Sequence, residues 1–169
     1  MNTDKNLKES LSEEKYLFIS DNDKIFMIAF DKSMTELGYD YRIVGNAGMG
    51  PRGKGYFVYA KADTKTRTVF ARICMYEDKV QLRFYFKNIN NHRTYIENAP
   101  EYIKTAFTFG GGDCQNCMAT CKSMKLYTID GQSYKKCCHY IAYFNNPTID
   151  RLPDYMALLY QFYPKLQPK

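Results

Sequence analysis

Apolar and polar positions alternate along this chain with two distinct periods. Between residues 21 and 38, Ile25, Phe26, Ala29, Phe30, Ser33, Met34 and Leu37 recur at i, i+3 and i+4. That spacing predicts a helix, capped by Asp21 or Asn22 and stopped by Gly38. Three runs with a period of two follow. Tyr56 to Lys61 is the first. Thr68 to Tyr76 is the second, with Val69, Ala71, Ile73 and Met75 on one face. Val80 to Lys87 is the third, with Val80, Leu82, Phe84 and Phe86 on one face. Only Glu77 and Asp78 stand out as a connection between the last two, which predicts an antiparallel hairpin. Pro100 opens a second helix, to about Phe107, because proline suits a first helical turn. Tyr127-Thr128-Ile129 and Gln132-Ser133-Tyr134 flank Asp130-Gly131 and predict another hairpin. A last helix starts near Asp150, with Leu152, Tyr155, Met156, Leu159 and Phe162 on its buried stripe.

The order helix, strands, helix, hairpin, helix predicts an α+β fold rather than alternating βαβ units. The expected architecture is an antiparallel sheet covered by helices on one face, with a cysteine-rich metal-binding hairpin near the C-terminus. Residues 1–20 are polar and read as a leader, loose or helical. Residues 21–169 then form a single domain that includes the hairpin at 110–145. A chain of 169 residues is long enough for one substantial core. The strand registers put Phe70, Arg72, Cys74, Tyr76, Gln81, Arg83, Tyr85 and Lys87 on the second sheet face. Such a mixture of cations and rings suits an anionic or aromatic ligand, or stacked bases and phosphates. The plain alternative is a solvated outer face.

Charge sharpens that expectation. Residues 1–40 hold nine acids and five bases, and residues 41–169 hold nineteen bases and nine acids. The asymmetry points to an anionic partner, a small molecule first and nucleic acid second. No apolar run approaches the length of a membrane span, and the N-terminal segment lacks the apolar core of a secretion signal. The expected location is therefore cytoplasmic, with no membrane partner. Gly48-Met49-Gly50-Pro51-Arg52-Gly53-Lys54-Gly55 approaches a phosphate-binding loop. It lacks the Ser or Thr that would hold magnesium, and it leads into the strand-like Tyr56-Phe57-Val58-Tyr59 instead of a helix. A mobile glycine-rich loop carrying Arg52 and Lys54 beside the sheet is the remaining functional reading.

The cysteines carry the most specific chemistry. Five of the six lie between positions 114 and 138. Cys114 and Cys117 are separated by two residues, Cys121 follows, and Cys137 lies beyond the Asp-Gly hairpin. Soft thiolates at this spacing favour zinc, with an iron–sulfur cluster the lesser option. Strand alternation lets only one of Cys137 and Cys138 face the same ion, so Cys138 or His139 is the alternative fourth ligand. Four thiolates close a site, which implies a structural metal and not a catalytic one. Cys74 stands alone in a strand and reads as a small core residue. The segment Cys-x2-Cys-x3-Cys-Lys followed by Tyr-x-Ile-Asp-Gly-x2-Tyr-x2-Cys resembles cysteine motifs in small bacterial proteins. The resemblance covers about 113–147 and implies a bacterial cytosolic origin without implying an activity.

Catalytic pairs are weaker. His92 sits in a polar turn, and His139 neighbours the cysteines on a strand, where adjacent side chains diverge. The sequence therefore predicts a zinc-stabilised, non-catalytic ligand-binding or sensing domain, with Arg72, Tyr76, Arg83, Tyr85, Arg52 and Lys54 on its ligand face. The alternatives are a nucleic-acid-binding module on the same face and a thiol redox enzyme using Cys137 and Cys138 or Cys114 and Cys117.

Overall fold

The computed structural model describes residues 7–44, 53–60, 69–109, 125–136 and 142–164. The architecture is α+β, with an antiparallel five-stranded sheet, a separate two-stranded hairpin and a set of helices. Helix α1 (Leu7–Ser10) and a 3-10 turn at Glu14–Tyr16 come first. They are more than a polar leader, because Leu7, Leu11, Tyr16 and Ile19 all enter the core.

Helix α2 (Asp21–Glu36) is capped by Ser20, one residue earlier than expected. The Ser20 hydroxyl accepts from the Asp23 amide at 3.1 Å and donates to its carboxylate at 2.6 Å. The first of these is an N-cap bond, and Asp21 and Asp23 complement the helix dipole in the first turn. The helix buries Phe26, Met27, Phe30 and Met34, while Ile25 is exposed. At its end Gly38 takes φ +78°, Tyr39 N–H bonds to Met34 O at 3.0 Å, and Gly38 N–H bonds to Thr35 O at 2.9 Å. This is a Schellman stop, for which glycine is preferred.

The sheet runs in the order β1 (Asp40–Val44), β2 (Gly53–Ala60), β3 (Val69–Tyr76), β4 (Val80–Phe84) and β7 (Ala142–Asn145), every pair antiparallel. The predicted β3–β4 hairpin is present, closed by Tyr76 N–H to Lys79 O at 2.9 Å. Two strands lay outside the sequence expectation. One is β1. The other is β7, which returns after a long excursion to pair with β4.

That excursion holds a 3-10 turn at Ile89–His92, α3 (Arg93–Glu97), α4 (Glu101–Thr108) and the hairpin β5 (Lys125–Ile129) and β6 (Gln132–Lys136). Asp130 and Gly131 both have positive φ (48° and 75°), as a two-residue type I′ turn requires. The hairpin docks on the helices beside it. Tyr127 Oη donates to Phe107 O at 2.5 Å, Asp130 N–H bonds to Glu97 Oε1 at 2.8 Å, and Thr128 N–H bonds to Asn90 Oδ1 at 3.0 Å. Helix α5 (Leu152–Phe162) closes the described chain and buries Tyr155, Leu158, Leu159 and Phe162.

The buried side chains of the helices join a single apolar cluster with Phe57, Tyr59, Ala71, Ile73, Met75, Leu82, Phe84 and Phe144 of the sheet. The helices therefore cover one face. Stacked rings hold its centre: Phe86 lies 4.0 Å from Phe162 and 5.3 Å from Phe84, and Phe30 meets Tyr59 edge-on at 5.2 Å. Phe70 belongs to this cluster and not to the second face where alternation placed it. The register jumps from Tyr59↔Ala71 to Ala60↔Val69, leaving Phe70 as the extra residue of a bulge. It packs against Tyr39 and Tyr163 at 5.0 and 4.5 Å. No helix among the described residues is long and apolar enough to cross a membrane.

Candidate functional site

The second face of the sheet carries the side chains that the helices do not cover. Its residues fall in two cross-strand rows. One row reads Val58, Arg72, Arg83, Tyr143 across β2, β3, β4 and β7; the next reads Tyr56, Cys74, Gln81, Asn145. Neither row contains a carboxylate. Arg72 and Arg83 are direct cross-strand partners on adjacent inner strands, and like charges placed opposite each other are destabilising.

Aromatic rings and amides hold both guanidinium groups. Arg72 lies between Tyr56 and Tyr85, 5.0 and 5.1 Å from the ring centres, so its charge meets the negative face of each ring. Its Nε–H is buried and has no acceptor. Arg83 donates from Nε to Gln81 Oε1 and from an Nη to the Tyr76 hydroxyl, and its guanidinium also stands 5.9 Å from the Tyr76 ring centre. Gln81 in turn donates to Asn145 Oδ1 at 2.7 Å. The chain of bonds therefore runs from the sheet edge to its middle. Lys79 adds a cation 5.5 Å from the Tyr76 ring centre.

The network lies close against the sheet. Arg83 is 9% exposed, and Cys74, in the row beside the two arginines, is 1% exposed. This is not the solvated face of the plain alternative. Burial pushes the Cys74 thiol above its ordinary value, against the pull of Arg83 and Arg72. A thiol held protonated and inaccessible is inert as a nucleophile.

Of the six predicted ligand-face residues, Arg72, Tyr76, Arg83 and Tyr85 come together here. Lys54 lies at the start of β2, where it pairs with Glu77 at 2.6 Å. Arg52 is outside the described residues. So are Cys114, Cys117, Cys121, Cys137, Cys138 and His139, the whole of the predicted zinc site. Among the described residues no group of three His, Cys, Asp or Glu is placed to hold a metal. His92 packs on Phe162 at 4.1 Å between ring centres, and burial lowers its pKa from the ordinary value.

The sequence reading missed Tyr56 and Asn145. Tyr56 was within reach, since alternation from Phe57 puts it on the arginine face. Asn145 was not, because its strand was not expected. A second concavity also went unpredicted. It lies between α4, β7 and the start of α5, has a volume of about 200 Å³, and is lined by Tyr102, Phe144, Tyr155 and Arg151 among others. No protein-family model matches this chain, and no curated protein or solved structure is detectably similar to it.

Proposed function

We propose that this chain is a non-catalytic binding domain whose outer sheet face takes a small anionic molecule, its carboxylate or phosphate group seated against Arg72 and Arg83. The observation that carries the reading is the direct cross-strand pairing of these two arginines, in rows without a carboxylate. An oxyanion bridging them converts a repulsion into two charge-assisted contacts. Tyr56 and Tyr85 fix one guanidinium, and Gln81 and Tyr76 fix the other, so little side-chain entropy remains to be lost on binding.

The same geometry favours a small anion over nucleic acid. Tyr56, Tyr76 and Tyr85 each already have a cation against the ring, which competes with the base stacking that single-strand binders use. The inert Cys74 disfavours thiol chemistry on this face.

In the same reading zinc is a staple. Its ligands would be Cys114, Cys117, Cys121 and Cys137, with Cys138 or His139 the alternative to Cys137. The β5–β6 hairpin supports this. Lys125 and Lys136 are paired at its open end, so the chain segments leading to Cys121 and Cys137 start side by side. Such a thiolate site needs a reducing compartment such as the bacterial cytosol.

The test is a calorimetric titration of the full chain with inorganic phosphate, pyrophosphate and citrate, beside a single-stranded oligonucleotide. At least one small anion should bind, and Arg72→Met and Arg83→Met should each weaken it about tenfold or more, the worth of one charge-assisted contact. Oligonucleotide binding that falls steeply with salt, without small-anion binding, would replace this reading with the nucleic-acid one. Elemental analysis of protein purified without added metal should find one zinc per chain. A chain without stoichiometric zinc removes the staple and leaves the anion face standing.

A further inference from the structure

The cavity at the edge of the sheet shares Tyr143 and Asn145 with the arginine face but is lined by neither Arg72 nor Arg83, and its chemistry is different. We propose that it is a separate binding site for a single-ring aromatic acid. An apolar cavity near 150 Å³ is enough to hold benzene, so about 200 Å³ admits one six-membered ring with a small substituent.

Its walls suit a ring. Tyr102 meets Phe144 and Tyr155 nearly edge-on, with centres 6.4 and 6.0 Å apart, and Phe144 lies 4.7 Å from Tyr155. A guest ring continues this edge-to-face arrangement, which is worth more than area burial alone. The rings come from three elements, α4, β7 and α5, so each side chain is set by packing and the cavity is preformed.

Its polar groups suit an acid. Arg151 is exposed and lies with its guanidinium 4.4 Å from the Tyr102 ring centre, which places a fixed positive charge on the wall. Arginine takes a carboxylate through two parallel N–H donors. No carboxylate lines the cavity among the described residues. Asp154 accepts the Tyr102 hydroxyl at 2.5 Å. That bond fixes the Tyr102 ring, and burial together with Asp154 keeps the phenol protonated by raising its pKa. A ring-bearing carboxylate meets rings and a guanidinium; a ring-bearing amine meets the same cation and is repelled.

The experiment is an NMR titration of the 15N-labelled full chain with benzoate as probe, beside benzyl alcohol, benzylamine and acetate. Benzoate should move the amide resonances of Tyr102, Phe144 and Arg151 to saturation. Benzyl alcohol should bind about tenfold more weakly, since a charge-assisted contact is lost, and benzylamine and acetate should leave the resonances in place. Ala106→Leu should abolish benzoate binding by filling the cavity. Arg151→Gln, at an exposed position, should weaken benzoate about tenfold and leave benzyl alcohol unchanged. Arg72→Met should change neither, which separates this site from the sheet face. Unmoved resonances at the solubility limit of benzoate overturn the proposal. So does equal benzoate affinity in the wild type and Arg151→Gln, and that arm decides the matter alone if Ala106→Leu fails to fold by circular dichroism.

Discussion

The two faces of the sheet are built from the same four strands and one alternation, yet they are chemically opposite. The face under the helices presents Phe57, Tyr59, Ala71, Ile73, Met75, Leu82 and Phe84, all fully buried. Its packing is ring against ring, and its only demand is close contact. The other face presents Arg72, Arg83, Gln81 and three tyrosines, joined by hydrogen bonds and by cations against rings. On the first face, aromatic rings exclude water. On the second, they hold charge in place. The comparison teaches that high aromatic content is serving two ends here, and that the period of two keeps them apart: each strand residue belongs to one end or the other.

The comparison breaks most visibly on the inner face. Phe84 is fully buried and touches Phe30, Phe86 and Phe144. Phe84→Ala leaves a cavity among rings that cannot collapse, and should cost about 3–5 kcal/mol in denaturant unfolding. Anion binding by whatever remains folded should be unaltered. A loss below about 1 kcal/mol would mean that the inner face tolerates voids and that its rings are not a tightly packed set.

Arg83→Met should produce a smaller loss of stability and a larger loss of binding. Methionine replaces the stem but leaves Gln81 Oε1 and the Tyr76 hydroxyl without the donor they have now. An expected cost of about 1–3 kcal/mol follows from the stranded acceptors. Gln81→Leu in the same background should recover part of it, since removing both partners is cheaper than removing one. No recovery would show that the amide bonds elsewhere once the arginine is gone.

An acid on the helix side refines the contrast further. Asp31 of α2 is partly buried, and burial raises its carboxyl pKa above the ordinary value, with the Tyr59 hydroxyl acting in the opposite direction. A folded-state pKa above the unfolded one favours folding of the protonated form. The contribution of Asp31 is therefore greatest below the ordinary carboxylate pKa and is lost as pH rises through the raised one. Asp31→Asn should flatten that part of the stability profile, at pH values just above the ordinary carboxylate pKa, measured by urea unfolding at several pH values. An unchanged profile would assign the dependence to other groups.

How far these faces could be read in advance depends on how local their causes are. The β3–β4 hairpin was legible because its alternation and its short turn are both written in adjacent residues. The Asp130-Gly131 turn was legible for the same reason, since few sequences supply two successive positive φ angles. The Ser20 cap was readable as Ser-x-x-Asp before an apolar run, although Asp21 and Asn22 offered rival caps one or two residues later. Phe70 was not readable: a bulge is set by how β2 and β3 pair, and alternation within one strand carries no record of it. β7 is four residues long and owes its place to β4. Ala142-Tyr143-Phe144-Asn145 has too little pattern to announce a strand, so Asn145 and the cavity beside it could not be anticipated. The arginine face was legible as a list of residues. That its members are buried or half-buried and held against one another was not, because this follows from cross-strand register.

The smallest expected change in stability is the most informative one. Arg72 differs from Arg83 in what its removal leaves behind. Its described partners are the rings of Tyr56 and Tyr85 and no hydrogen-bond acceptor at Nε. Arg72→Met keeps an unbranched, polarizable side chain between the two rings. It also removes a buried donor without an acceptor and the charge opposite Arg83. The lost contact of cation with rings, about 0.5–2 kcal/mol, is set against a relieved orphan of about 1–3 kcal/mol and a relieved repulsion. At their midpoints these terms leave a net gain of about 1 kcal/mol. A residue whose removal leaves the fold as stable as before, or more so, is not there for the fold. If Arg72→Met abolishes anion binding while unfolding at the same or a higher denaturant concentration, the outer face is a binding surface maintained at some cost to stability. If it unfolds the chain as readily as Arg83→Met does, the arginine is structural, and the contrast between the two faces reduces to two ways of packing a sheet.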